Sequence, residues 1–190
     1  MKISFSEDQL DALQELANLG MGRTANALGQ LLELEVIMNV PRVELVSVPE
    51  LMKQIKERMA LPDSVATRQA FSDGLDGEAL LIFETRPELA GTMTEPLDDE
   101  QMLEVTNIMA GAFLGSLLEP LGADLYFSPP SLVEAALRTG EANPTWEAAL
   151  VLNIEMGTHG HLDNCKLMLV FPEHSLEKIR LAVDKLLEEL

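Results

Sequence analysis

Residues 10–46 read LDALQELANLGMGRTANALGQLLELEVIMNVPRVELV, and residues 99–135 read DEQMLEVTNIMAGAFLGSLLEPLGADLYFSPPSLVEA. At a constant offset of 89, several residues of the first stretch recur in the second. The matched pairs include Glu15 and Glu104, Asn18 and Asn107, Gly22 and Gly111, Leu28 and Leu117, and Pro41 and Pro130. Two copies are too few for a solenoid, which needs about three or more. We therefore predict a single domain made of two repeats, about 1–92 and 93–190, related by pseudo-two-fold symmetry.

Each repeat begins with a long helix in this prediction. Ser6 and Gln9 match the capping-box pattern, and the apolar periodicity that follows predicts a helix to about Leu32. The second repeat predicts a matching helix from about Asp98 to Leu118. Shorter patterns predict a helix at 49–61, strands at 65–71, 77–83, 148–156 and 164–171, extended segments at 34–40, 43–48 and 123–127, and a last helix at 175–190. The fold class is therefore α+β, with two long helices on a shared sheet.

A line of polar residues runs along each long helix, opposite its apolar side. Positions i, i+4, i+7 and i+11 superpose on a helix. The lines consist of Asp11, Glu15, Asn18 and Gly22 in the first helix, and of Glu100, Glu104, Asn107 and Gly111 in the second. Each line ends at a glycine, and we expect the gap in the side-chain layer to leave room for another surface.

The recurrence of Glu and Asn favours a function over a merely solvated helix face. If each residue type fills about 5% of positions, a fixed triple of Glu, Asn and Pro arises about once in 8,000 starting points. The triple occurs twice here at the same offset, while the surrounding residues have diverged. We therefore take these positions as candidate site residues.

The composition excludes several classes of partner. The chain has 190 residues with 13 Lys+Arg, 32 Asp+Glu and a net charge of −19, and 47% of it is hydrophobic. The apolar fraction excludes a disordered acidic tail, and the charge argues against nucleic acid and anionic membranes. The apolar stretch 108–118 is too short to span a bilayer, and no signal segment opens the chain. We expect a soluble, cytoplasmic protein.

The single cysteine and the two neighbouring histidines are interpreted as structural residues. Cys165 stands alone and precedes an apolar run, so we expect a buried or half-buried residue and no disulfide. His159 and His161 alternate like two metal ligands on a strand, but a Gly-rich turn with no supporting Cys or Glu cluster favours a polar hairpin tip. We expect no metal site and no cofactor of the protein's own.

The two polar lines resemble the signature of the CheC/CheX/FliY family of bacterial chemotaxis phosphatases, in which Asp or Ser is followed by Glu, Asn and Pro. Asp11, Glu15, Asn18 and Pro41 have those spacings. The second copy has Glu104, Asn107 and Pro130, but Glu100 replaces the first residue. The likeness covers both repeats, and it implies a CheC-like, internally duplicated fold.

The resemblance also implies a reaction. Family members dephosphorylate the aspartyl phosphate of CheY-type response regulators, whose active site holds Mg²⁺. Asn18 and Asn107 would each place an amide beside the phosphoryl group and orient the attacking water. Glu15 and Glu104 would pair with the regulator's active-site lysine. Such a step depends on positioning and electrostatics and needs no strong base.

The two predicted sites are not equivalent. Glu100 adds a carboxylate one turn before Glu104, so we expect Asn18 to matter at least as much as Asn107.

The alternative function is a non-catalytic interaction module that binds CheD or a response regulator in chemotaxis or the flagellar switch. A scaffold has little need for the Glu and Asn pair twice, which favours the enzyme. We expect a monomer with internal pseudo-symmetry.

Overall fold

An antiparallel β-sheet with helices on both faces forms the framework of the chain in a computed structural model. The structure describes residues 4–33, 35–39, 42–61, 64–83, 97–119, 122, 124–133, 146, 148–158 and 161–188. For 32, 117, 152–158 and 161–164 it describes the backbone alone.

Four helices and eight strands lie within these described residues. The helices are α1 (Glu7–Leu32), α2 (Val48–Met59), α3 (Asp99–Leu118) and α4 (Glu173–Glu188). The strands are β1 (Ile37–Met38), β2 (Val43–Ser47), β3 (Val65–Ser72), β4 (Gly77–Phe83), β5 (Tyr126–Phe127), β6 (Ser131–Leu132), β7 (Ala148–Thr158) and β8 (His161–Phe171).

The sheet is centred on β4 and β8, which pair with each other and with their hairpin neighbours. The strand order is β1-β7-β8-β4-β3-β5, with β2 also on β7 and β6 also on β3. Every pair is antiparallel. Each edge therefore carries two short strands, β1 and β2 after α1 at one edge and β5 and β6 after α3 at the other.

Both faces of the sheet are covered, because alternate residues of a strand point to opposite faces. Leu81 and Phe83 belong to the larger core, which includes apolar residues of α1, α3 and α4. Leu80 and Ile82 belong to a second core under α2, with Leu51 and Ile55 of that helix. Continuous apolar runs are typical of strands buried on both faces.

The two long helices pack against each other on one face. Gly20 of α1 lies so close to α3 that an added Cβ atom would meet Phe113 Cδ2 at 3.0 Å and Ser116 Cβ at 3.3 Å. Capping boxes begin both helices, formed by Ser6 with Gln9 and by Asp98 with Gln101. The caps fix where each polar line starts.

Most predicted elements are present, with shifted ends. The helix α2 begins one residue earlier than predicted and ends at Met59, while β7 and β8 extend beyond their predicted limits. The strand β6 was not predicted, because two residues between prolines and loop residues give no periodicity. Cys165 is buried at 3% exposure, as predicted.

Candidate functional site

The first candidate site lies on α1, on the side away from the sheet. Leu13, Leu16 and Ala17 are buried in the larger core. Because one side of the helix is turned inward, the polar line of Asp11, Glu15, Asn18 and Gly22 lies on the outer side. Three members of that line are exposed, and Asn18 is half-buried.

The second candidate site lies on α3 in the same way. Met102, Val105 and Met109 are fully buried. The opposite line consists of Glu100, Glu104, Asn107 and Gly111, of which the first three are exposed and the glycine is half-buried. Both lines are accessible to a partner, as the periodicity predicts.

The amide of Asn18 is held by a neighbouring glutamine. Gln14 Nε2 donates to Asn18 Oδ1 over 3.0 Å. The oxygen of the same glutamine accepts the backbone N–H of Val43 on β2 over 2.9 Å. A backbone N–H can only donate, so this contact fixes which end of the Gln14 amide carries the donors. The Asn18 oxygen therefore faces Gln14.

A different glutamine holds Asn107. Gln69 of β3 is 1% exposed, and its Nε2 donates to Asn107 Oδ1 over 2.8 Å. The same nitrogen donates to the backbone carbonyl of Ser128 over 2.8 Å. A carbonyl can only accept, which again fixes the orientation of the glutamine amide and hence of the asparagine.

Of the two motif prolines, the described residues include Pro130. Pro41 lies outside the described residues. Pro130 is half-buried between β5 and β6, two residues after Ser128. Since β5 and β6 both pair with β3, the second repeat brings its proline-containing segment to the strand that holds Asn107 through Gln69.

The two glycines that end the polar lines have no internal packing role. A Cβ atom built on Gly22 or Gly111 meets nothing within 4 Å. Gly111 also lines an open groove between α1 and α3 of about 660 Å³, together with Arg23 and Glu119. The side chains of Arg23 and Glu119 form an exposed ion pair of 2.8 Å across the two helices.

An exposed apolar residue adjoins the first site. Leu19 follows Asn18 directly and is 66% exposed. Its counterpart in the second repeat, Ile108, is half-buried and packs against the larger core. The two candidate sites therefore share the Glu and Asn pair but differ in the apolar surface beside it.

Sequence reasoning missed the two glutamines. Gln69 gives a detectable signal, because it is a polar residue at an inward position of β3, between the buried Thr67 and Phe71. A buried polar side chain requires a hydrogen-bond partner. Gln14 stands four residues before Asn18, a spacing at which side-chain amides meet on a helix.

The described residues contain neither a grouped set of metal ligands nor a membrane-spanning helix. Within the described part of the chain, no three His, Cys, Asp or Glu residues are grouped so that they could hold a metal ion. His159 lies outside the described residues, and His161 is described by its backbone alone, so the alternation of these histidines stays untested. No helix among the described residues has the length and apolarity needed to cross a membrane.

Comparisons with known proteins agree with the motif. The model of the CheC-like family matches residues 9–45, the segment that carries the first polar line. CheY-P phosphatase CheC of Bacillus subtilis is 28% identical over 93% of this chain and 94% of its own length. The similarity to this relative therefore covers nearly the whole of both chains.

Solved structures share the fold. Thermotoga maritima FliY is 20% identical, with a TM-score of 0.68, over 96% of this chain and 99% of its own. The FliM middle domain from H. pylori is 14% identical, with a TM-score of 0.65, over 93% of this chain and 99% of its own. At these identities the likeness concerns the fold alone. The matched segment and the full-length relative therefore show that this chain is similar to the CheC-like family.

Proposed function

We propose that this protein is a phosphatase that hydrolyses the aspartyl phosphate of a CheY-type response regulator. The observation that carries the proposal is the presence of two accessible Glu and Asn pairs, each with its asparagine oxygen held by a glutamine. The similarity to CheY-P phosphatase CheC over 93% of the chain supports the same reaction class. The site of action would be the cytoplasm, where such regulators work.

In this proposal the outer side of a motif helix docks onto the regulator's active site. Glu15 and Glu104 are exposed carboxylates, and each would pair with the regulator's active-site lysine. Such a pair sets the register and speeds the encounter more than it adds affinity. The glutamates are thus docking residues, and no proton transfer by them is required.

The asparagines would act at the phosphoryl group. A neutral amide accepts a hydrogen bond from water and donates to a phosphoryl oxygen without adding negative charge. The water oxygen attacks phosphorus in line, and the bond from phosphorus to the aspartyl oxygen breaks with its electron pair left on the regenerated aspartate carboxylate. Both hydrogens of the water stay with the phosphate, which leaves as H₂PO₄⁻. The regulator's own Mg²⁺ would balance the developing charge, so this chain supplies positioning.

The other motif residues would determine how closely each helix approaches the regulator. Gly22 and Gly111 leave gaps in the side-chain layer one turn beyond each asparagine. Asp11 and Glu100 would extend each acidic line toward the start of its helix, and Glu100 would make the second site less favourable for a phosphoryl group. Pro41 and Pro130 would support the segment beside each site.

The competing function is a non-catalytic module that binds CheD or a response regulator. The likeness to the FliM middle domain, at 14% identity, is compatible with this function, because one fold can carry unrelated functions. The two functions differ in whether binding depends on phosphate and whether hydrolysis follows.

The test uses a purified CheY-type regulator, phosphorylated with a small-molecule phosphodonor in the presence of Mg²⁺. Phosphate release is followed with and without the full chain, and binding is measured to the phosphorylated and unphosphorylated regulator. The phosphatase predicts faster release and phosphate-dependent binding. Equal binding to both forms without faster release would support the interaction module instead.

A further inference from the structure

We infer that Gln14 and Gln69 are positioning residues, each of which fixes the orientation of one motif asparagine amide. This inference rests on the proposed phosphatase function for its catalytic consequence. Its structural basis is independent, because both glutamines are anchored by backbone groups of the sheet or its edge.

The anchoring removes the ambiguity of the asparagine amides. An asparagine alone presents either its oxygen or its nitrogen to a ligand after a simple rotation. Gln14 donates to Asn18 and Gln69 donates to Asn107, so each Oδ1 has one lone pair occupied. Among the described residues, neither Nδ2 atom has a hydrogen-bond partner. The two N–H groups and one lone pair of each amide therefore remain for a phosphoryl oxygen and a water.

In the second site, Gln69 makes this contact although its own amide oxygen is buried without a partner in the described part of the chain. The oxygen Oε1 of Gln69 is buried and has no hydrogen-bond partner among the described residues. A buried polar atom without a partner requires an explanation. Both hydrogens of the Gln69 amide nitrogen are used, one on Ser128 and one on Asn107. The side chain is thus arranged for its donors, even though its acceptor is left unpaired.

Duplication does not account for the first glutamine. The residue that stands 89 positions after Gln14 is Leu103, which has no amide. The helix of the second repeat therefore offers no copy of the donor that holds Asn18. Asn107 obtains an equivalent donor from β3 instead.

The strand glutamine is not a copied feature either. Gln69 pairs with Ala79 across β3 and β4. The apolar runs that end at Phe83 and Phe171 match at an offset of 88, so Leu167 on β8 corresponds to Ala79 on β4. The strand partner of Leu167 is Leu152 on β7, which therefore corresponds to Gln69. Leucine thus occupies the corresponding position. The two asparagines therefore obtain the same contact from different elements, Asn18 from its own helix and Asn107 from β3.

The experiment isolates the first site by using the Asn107→Ala variant as the background. In that background, Gln14→Glu keeps an oxygen for the Val43 N–H but replaces the donor to Asn18 with an acceptor. We expect kcat for phosphate release to fall about 10- to 100-fold, with KM unchanged, because the amide is turned away from its working orientation. Gln30→Glu is the control, since it makes the same charge change at an exposed position of α1.

Two further measurements separate positioning from a general structural effect. In the Asn18→Ala background, with Asn107 intact, Gln14→Glu should have no effect on kcat, because its target is gone. NMR of the Asn18 side-chain amide reports the contact without any activity, and Gln14→Met should shift that signal and lower its order parameter. An unchanged signal would overturn the positioning role, as would an equal loss of kcat in both backgrounds. If the Asn18→Ala/Asn107→Ala variant keeps full activity, the assignment of the reaction to the two asparagines fails; if the wild type releases no phosphate, the proposed function fails. In both cases the NMR signal still decides whether Gln14 orients Asn18.

Discussion

The hydroxyl oxygens of Thr67 on β3 and Thr106 on α3 lie 2.6 Å apart, and both side chains are buried. Thr106 also donates to the Met102 carbonyl of its own helix over 2.8 Å. Since Asn107 follows directly and is held by Gln69 on the same strand, two adjacent contacts fix the rotation and height of α3 over β3. The second candidate site is therefore positioned by the sheet.

Replacing Thr106 with valine tests this attachment. Thr106→Val keeps the side-chain shape but removes the hydroxyl, and we expect the free energy of unfolding to fall by about 1–2 kcal/mol. Phosphate release by the second site should fall as well, measured in the Asn18→Ala background. Thr24→Val is the control, because that hydroxyl donates to Gly20 within its own helix. An equal loss of activity in the control would contradict the account.

The glycines at the ends of the polar lines provide a second prediction. Gly22→Ala and Gly111→Ala meet no neighbouring atom within 4 Å, so each should raise the free energy of unfolding by about 0.8–1 kcal/mol through helix propensity. We expect weaker binding of the phosphorylated regulator despite the gain in stability, because the added methyl group fills the gap in the side-chain layer that the regulator would occupy. Thermal unfolding and a binding titration check the two effects.

Gly20 supplies the contrast within the same helix. An added Cβ at this position meets Phe113 and Ser116, so Gly20→Ala should lower stability through overpacking, by about 1–3 kcal/mol. If Gly22→Ala is stabilising and leaves regulator binding unchanged, the glycine has no docking role.

The glutamates should affect docking more than chemistry. Glu15→Gln and Glu104→Gln remove exposed charges, so we expect KM to rise about two- to fivefold with kcat nearly unchanged. The difference should diminish at high ionic strength, because salt screens exposed pairs. Glu57→Gln, on α2 at the other face of the sheet, makes the same charge change and should leave KM alone. A fall in kcat without a change in KM would contradict the docking role.

Leu19 should contribute apolar contact at the first site. Its side chain is 66% exposed beside Asn18, and we expect Leu19→Ser to weaken regulator binding about tenfold through lost apolar burial. Leu181→Ser on α4 is the matched control, since that leucine is 60% exposed on a helix that carries neither polar line. Surface plasmon resonance with the phosphorylated regulator compares the two. Equal affinities would exclude Leu19 from the interface.

The long helices were predictable because their signals are local. The Ser6 and Gln9 capping box and the buried positions Leu13 and Met102 agree with the structure. The edge strand β6 was not predictable, because it forms by pairing with Thr67 and Arg68 far away in the sequence.

The candidate site was predictable in part for the same reason. Glu15 and Asn18 are revealed by repetition, and helical geometry alone places them on one line. Gln69 reaches Asn107 only because α3 packs on β3 with a particular register. That register depends on tertiary packing, so a sequence pattern can flag the inward polar residue but does not identify its partner.

The most direct test of the central claim is the rate of phosphate release from a phosphorylated CheY-type regulator in the presence of the Asn18→Ala/Asn107→Ala variant. Asn26→Ala, an exposed asparagine of α1 outside the polar line, is the control and should match the wild type. We predict that the double variant still binds the regulator but releases phosphate only at the regulator's own rate, with Asn18→Ala alone losing at least as much activity as Asn107→Ala. Undiminished release by the folded double variant would contradict the account.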